Sequence, residues 1–176
     1  VTLDATYDTF AEAFNAATSG QVIVLADGNT HDLGGASFTF DKSVTILGSG
    51  GDDAALLTNG TASIETDGIT IEGIRVQVKD SATALSIDAN NTIVRDVSFV
   101  GDGSPASAKA IVVADAGNNV TIESSDFSGV TTAIELPANY TATAVILGNT
   151  IASSTTGIDL NGLTDAADVT IDANSF

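Results

Sequence analysis

The phrase GNNVTIESSDFSG, Gly117–Gly129, returns in altered form along most of the chain, and this recurrence limits the fold more than any other feature. Its relatives are SVTILG at 43–48, GITIEGIRV at 68–76, NTIVRDVSF at 91–99, AVILGNTI at 144–151 and DVTIDANSF at 168–176. Their central apolar residues, Ile46, Ile71, Val94, Ile122, Ile146 and Ile171, are separated by 25, 23, 28, 24 and 25 residues. A second series lies between them: Phe38 and Phe40, Ala62 and Ile64, Leu85 and Ile87, Ile111 and Val113, Ile134 and Leu136, Ile158 and Leu160. Each pair alternates apolar with polar, as a strand with one buried face does. Gly, Asn, Asp and Ser turns separate the strands. A unit of about 25 residues holding two or three short strands cannot bury its apolar face alone, but it can when coils stack on one another.

The spacing predicts an all-β solenoid, a parallel β-helix of about six to seven coils lying about 4.8 Å apart. Inward columns read Ile71, Val94, Ile122, Ile146, Ile171 and Val76, Phe99, Phe127, Ile151, Phe176. A third reads Ile74, Val97, Ser125, Asn149, Asn174, so polarity enters the interior toward the C-terminus, where stacked Asn side chains can hydrogen-bond. Residues 1–20 differ: an N-terminal strand and a capping α-helix are expected there, ahead of a β-helix over 21–176, the whole forming one domain. TYDTFAEAFNAATSG places Tyr7, Phe10, Phe14 and Ala17 on one helical face, with Thr6 or Asp8 as N-cap and Gly20 as stop. Such a helix covers the open end of the first coil.

A short helix, then SGQVIVLADGNTHDL, then DKSVTILGSG, then repeated coils resembles the right-handed parallel β-helix of the pectate-lyase-like superfamily, over essentially all 176 residues. The resemblance implies architecture far more than activity, because that fold hosts lyases, hydrolases, adhesins and non-catalytic surface proteins. Catalytic members display charged residues outside one sheet, where polysaccharide lies. The register puts Glu72, Arg95 and Glu123 on successive coils, with Arg75 and Asp126 beside them. One reading is a polyuronate lyase in which carboxylates hold Ca²⁺ and Arg95 removes a proton. The other is a charge ladder between neighbouring strands, and two facts favour it. The chain has only five cations with which to hold a polyanion, and the lyase motifs that carry the catalytic Arg are missing. Asp52–Asp53 lacks the Gly-His partner that the hydrolase resemblance would require, and His31, the sole histidine, has no neighbouring nucleophile. These residues lean toward a non-enzymatic chain without deciding it.

Glu135 and Asp159 fall on adjacent coils in the outward register, and Ca²⁺ is the cofactor that would relieve their repulsion. The sequons at Asn59, Asn90, Asn119 and Asn139 are candidate glycosylation sites. Thr45, Thr70, Thr121 and Thr170 share an outward column that Ile93 and Val145 interrupt, so strand propensity accounts for them better than ice binding.

Charge limits the partners. With 23 acidic against 5 basic residues, a formal net charge of −18, the surface repels nucleic acid and anionic membranes. No apolar run reaches the ~18 residues that a helical membrane span requires. Cys and Met are absent, which removes disulfides and thiolate chemistry and suggests a mature secreted chain, extracellular or at the cell surface. The final phrase runs to Phe176 without a cap, so either the chain continues or another copy covers that end. The second option makes Val169, Ile171 and Phe176 a self-association surface for a homo-oligomer or filament. The functional expectation is a structural solenoid of an extracellular filament, surface layer or adhesin. The alternative is a polysaccharide lyase, hydrolase or glycan-binding module using the Glu72–Arg95–Glu123 face.

Overall fold

The computed structural model describes residues 6–26, 28–33, 37–50, 54–58, 60–79, 83–102, 108–114, 117–163 and 167–176. The chain winds into a parallel β-solenoid with three sheets, of seven, six and six strands. Among the described residues these strands form the all-β parallel solenoid that the spacing predicts. The first sheet stacks Val22–Leu25, Thr45–Gly48, Thr70–Glu72, Ile93–Arg95, Val120–Glu123, Thr143–Leu147 and Asp168–Asp172. In the second, Thr30–Asp32, Ala55–Thr58, Arg75–Val78, Ser98–Gly101, Asp126–Ser128 and Thr150–Ala152 follow one another. The third holds Ser37–Phe40, Thr61–Ile64, Thr83–Ile87, Lys109–Val113, Thr132–Glu135 and Thr156–Asp159.

Like residues stack on like because every neighbouring pair of strands is parallel and in register. Ile46, Ile71, Val94, Ile122, Ile146 and Ile171 are consecutive partners in the first sheet. All but the last are buried. In the second sheet Val76, Phe99, Phe127 and Ile151 stack inward. The Phe99 and Phe127 rings lie parallel, with centroids 4.9 Å apart and planes 2° from coincidence. The third sheet aligns Phe38, Ala62, Leu85, Ile111, Ile134 and Ile158. Fully burying one such side chain stabilises the fold by about 1.5–3 kcal/mol, so the columns supply the main driving force.

In the five coils from Gly73 onward, the turn that leaves the first sheet uses one left-handed residue. Gly73, Asp96, Ser124, Gly148 and Ala173 occupy this corner, with φ between 50° and 64°. Their N–H groups stay in the ladder, donating to the Arg95, Glu123, Leu147 and Asp172 carbonyls for the first four. The next residue points inward, and here the interior becomes polar as expected. Ser125 Oγ accepts from Val97 N at 3.2 Å, Asn149 Oδ1 accepts from Ser125 N at 2.9 Å, and Asn174 Oδ1 accepts from Asn149 N at 2.9 Å. Asn149 Nδ2 also donates to the Ile122 carbonyl at 3.0 Å. Ser125 and Asn149 are thus buried with their polar groups engaged.

The helix spans Phe10–Ala16, shorter than the phrase suggested. Its N-cap is Thr9 rather than Thr6 or Asp8, because only Thr9 stands three residues before a glutamate. Thr9 Oγ1 accepts from Glu12 N, and Thr9 N donates to Glu12 Oε2, both at 3.2 Å. The helix ends with Ala17 in extended conformation, ahead of Gly20. Lys42 Nζ donates to the Phe14 and Asn15 carbonyls at 2.9 Å, which closes the helix C-terminus in place of a glycine. Phe10 and Phe14 pack edge-on against Phe38 and Phe40, so the helix covers the first coil as expected. The strand expected before it falls partly on residues 1–5, outside the described residues; none is present between residue 6 and the helix.

Candidate functional site

Two surfaces gather the sequence candidates: the outside of the sheets and the C-terminal edge. Glu72, Arg95 and Glu123 are register partners on three successive coils of the first sheet, as the spacing predicts. Arg95 Nη2 donates to Glu72 Oε2 at 2.7 Å. That hydrogen bond, then the Glu72 charge, and more weakly Glu123 and Asp96, raise the Arg95 pKa above its already high ordinary value. A guanidinium held charged in this way is a hydrogen-bond donor, not a proton acceptor at neutral pH. Arg75 and Asp126 are not on the same flat face. They open strands of the second sheet, across the left-handed corner from Glu72 and Glu123.

Glu135 and Asp159 are direct register partners on the third sheet. Their proximity agrees with the sequence, but a third residue changes the electrostatics: Lys109 Nζ lies 2.6 Å from Glu135 Oε2. This pair offsets the like-charge repulsion that a cation would otherwise have to relieve. Its sequence signal was diagonal, since Lys109 is in register with Thr132, three residues before Glu135. Among the described residues no group of three or more His, Asp or Glu side chains gathers around a point. Asp52 and Asp53 lie outside the described residues.

Asn90 Nδ2 donates to both Asp67 carboxylate oxygens at 3.2 Å, and Asn119 Nδ2 donates to Asn91 Oδ1 at 2.7 Å. N-glycosylation at either residue would replace a hydrogen on an engaged Nδ2. Asn139 is exposed in the turn before Tyr140, and Asn59 lies outside the described residues. Asp67 also accepts from Asn90 N at 2.8 Å. This backbone bond first, and the side-chain bonds second, hold its pKa below the ordinary 3.8. These turn contacts link successive coils, and the inward-column reading of the sequence did not reveal them.

At the C-terminal edge the Asp168–Asp172 strand pairs with Thr143–Leu147 on one side. Ile171 is 38% exposed and Phe176 79% exposed, whereas Ile146 and Ile151, one coil earlier in the same columns, are buried. Val169 is partly buried against the core. Thr150 and Ser175 form an isolated parallel bridge that keeps Phe176 in the inward column, its ring against Gly157. His31 sits in the second sheet, in register with Leu56. Among the described residues no helix is long and apolar enough to cross a membrane. No protein-family model, curated protein or solved structure matches the chain.

Proposed function

We propose that this chain is a structural β-solenoid of the pectate-lyase-like, non-catalytic type, a secreted acidic rod of an extracellular filament, surface layer or adhesin. Copies associate through the C-terminal coil. The observation that carries this reading is the exposure of Ile171 and Phe176 in columns whose earlier members are buried. A parallel strand laid along Asp168–Asp172 would bury them as the preceding coils bury theirs. The paired state of Arg95 adds support, because a guanidinium bound to Glu72 serves a ladder better than a proton abstraction. Sedimentation velocity and negative-stain microscopy over a concentration series test the proposal. Concentration-dependent assemblies that disappear in Ile171→Lys and Phe176→Lys support it; monomers at every concentration refute it.

A second reading has one observation in its favour, the in-register row Glu72, Arg95, Glu123 on an outward face. Three hydrogen-bonding groups repeated at about 4.8 Å suit a polysaccharide, bound without turnover or cleaved by a lyase or hydrolase. A glycan array, with uronate cleavage assays in Ca²⁺, separates these outcomes. Binding or turnover lost in Arg95→Ala would displace the structural reading.

A further inference from the structure

The two ends of the rod differ, and the difference narrows what can cover the open one. At the N-terminal end the inward residues of the first strand, Ile23 and Leu25, are buried. Phe10 and Phe14 of the helix pack edge-on against Phe38 and Phe40 over that coil. At the C-terminal edge Ile171 is exposed in the column where Ile146 is buried. A strand that ran parallel to Asp168–Asp172, with its inward face on the same side, would have to be Val22–Leu25 of another copy, the opposite edge of the same sheet. Seating that coil on Ile171 would displace the helix and uncover both of its buried rings. The Asp168–Asp172 strand of a second copy meets no such obstacle. Set edge to edge with their inward faces on one side, two copies of it run antiparallel.

The strand suits that arrangement in both register and hydrogen bonding. DVTID, 168–172, reads alike in both directions except that Val and Ile change places. Centred on Thr170, an antiparallel pair sets Val169 opposite the second copy's Ile171 on the inward face, so apolar meets apolar. Asp168 N donates to the Ala142 carbonyl at 3.2 Å, and the Asp172 carbonyl accepts from Gly148 N at 3.0 Å. Residues 168, 170 and 172 therefore turn their backbone groups toward the preceding coil, and by alternation those of Val169 and Ile171 face the open edge. Directly opposite residues that face each other in this way exchange two hydrogen bonds. Val169 with Ile171 forms such a pair on each side of Thr170, and Thr170 itself falls at a non-hydrogen-bonded position. We propose that the partner at this edge is the same edge of a second copy, paired antiparallel about a two-fold axis at Thr170. The proposal rests on the self-association reading above and gives it a direction: the contact closes at two copies, and a filament takes a further contact. It also sets Asp168 against Asp172 twice, between chains of net charge −18, so the dimer tightens as salt rises.

Thr170→Cys tests the axis, because the chain has no cysteine of its own. Opposite residues at a non-hydrogen-bonded antiparallel position have Cα atoms about 4.5 Å apart, within the range of a disulfide. With oxidised glutathione in about 1 M NaCl, which screens the facing carboxylates, Thr170→Cys should give a covalent dimer. Thr45→Cys, in the same outward column but away from the edge, should stay monomeric. A mixture of Thr170→Cys and Val22→Cys chains should give no 170–22 product. In sedimentation velocity of the unmodified chain, the dimer dissociation constant should fall about threefold or more between about 0.1 M and about 1 M NaCl. Asp172→Asn should produce much of that gain at the lower salt. Monomers at every concentration and salt would overturn this proposal together with the self-association reading. Concentration-dependent assembly with 170–22 disulfides, or without the 170–170 disulfide, would overturn the antiparallel edge alone, and so would a dimer that salt weakens.

Discussion

Replacing Gly48 with Ala tests how closely two coils approach. A Cβ on Gly48 would lie 1.8 Å from the Gly73 carbonyl oxygen and 2.8 Å from its carbonyl carbon. Ordinary contact between these atom types is 3.4 Å or more. Both offending atoms are backbone, so no rotamer change relieves the clash, and the coils must separate locally by about 1 Å or more. Overpacking of this kind costs about 1–3 kcal/mol. The Ser49 N–Leu25 O bond at 3.0 Å and the Gly73 N–Arg95 O bond at 3.3 Å flank the site. Losing them adds about 1 kcal/mol each, for a total of about 3–5 kcal/mol. Gly148→Ala is the matched control. It has positive φ, +64°, but nothing within 4 Å of its Cβ, so only the left-handed strain of about 1 kcal/mol applies. Ala173 already occupies the same corner at φ 54°. In far-UV circular dichroism melts, Gly48→Ala should lower the midpoint by about 6–20 °C and Gly148→Ala by about 2–4 °C. Equal midpoints for the two variants would refute the close-approach argument.

Four further outcomes follow from the same geometry. Asn149→Leu leaves Ser125 N–H without its acceptor and removes the Nδ2 donor to the Ile122 carbonyl, while the backbone bond from residue 149 to Asn174 Oδ1 stays; urea melts should show a loss of about 3 kcal/mol, with faster exchange of the Ser125 amide. Lys109→Ala, which leaves Glu135 facing Asp159, should cost under about 1 kcal/mol at low salt and almost nothing in high salt. Asp67 has a folded pKa below 3.8, so its stabilising contribution is present above that value and lost as pH falls through the folded pKa; Asp67→Asn should flatten the acid limb of stability against pH. Burial pushes Tyr140 up to about 12 from 10.0, so the folded state keeps its proton longer and stability should decline as pH rises from 10 toward 12, a decline that Tyr140→Phe removes.

The period and register were legible in the sequence because a parallel stack forces neighbouring inward residues to resemble one another, as Val94 over Ile71 and Phe127 over Phe99 do. The polar column was legible for the same reason. Separation of the first two sheets was not, because from Gly73 onward the corner consumes only two residues and a single phrase such as GITIEGIRV crosses it. Four different residue types, Gly, Asp, Ser and Ala, fill the five left-handed positions from Gly73 to Ala173, so no glycine pattern marks the break. The candidate site was legible only along columns. Glu72, Arg95 and Glu123 fell where expected, whereas the diagonal Lys109–Glu135 pair and the turn contact from Asn90 to Asp67 depend on side-chain reach, which spacing does not encode.

Like-over-like stacking is open to a direct distance measurement. The described residues contain no cysteine and the sequence has none, so Thr45→Cys and Thr170→Cys can be spin-labelled without background. These residues share one outward column through Thr70, Ile93, Thr121 and Val145. With steps of about 4.8 Å, double electron–electron resonance should give a narrow peak near about 24 Å. Moving the second label to Val145→Cys should shorten it by one step. A broad distribution, or a distance that does not shorten with that move, would contradict the solenoid and every surface assignment built on it.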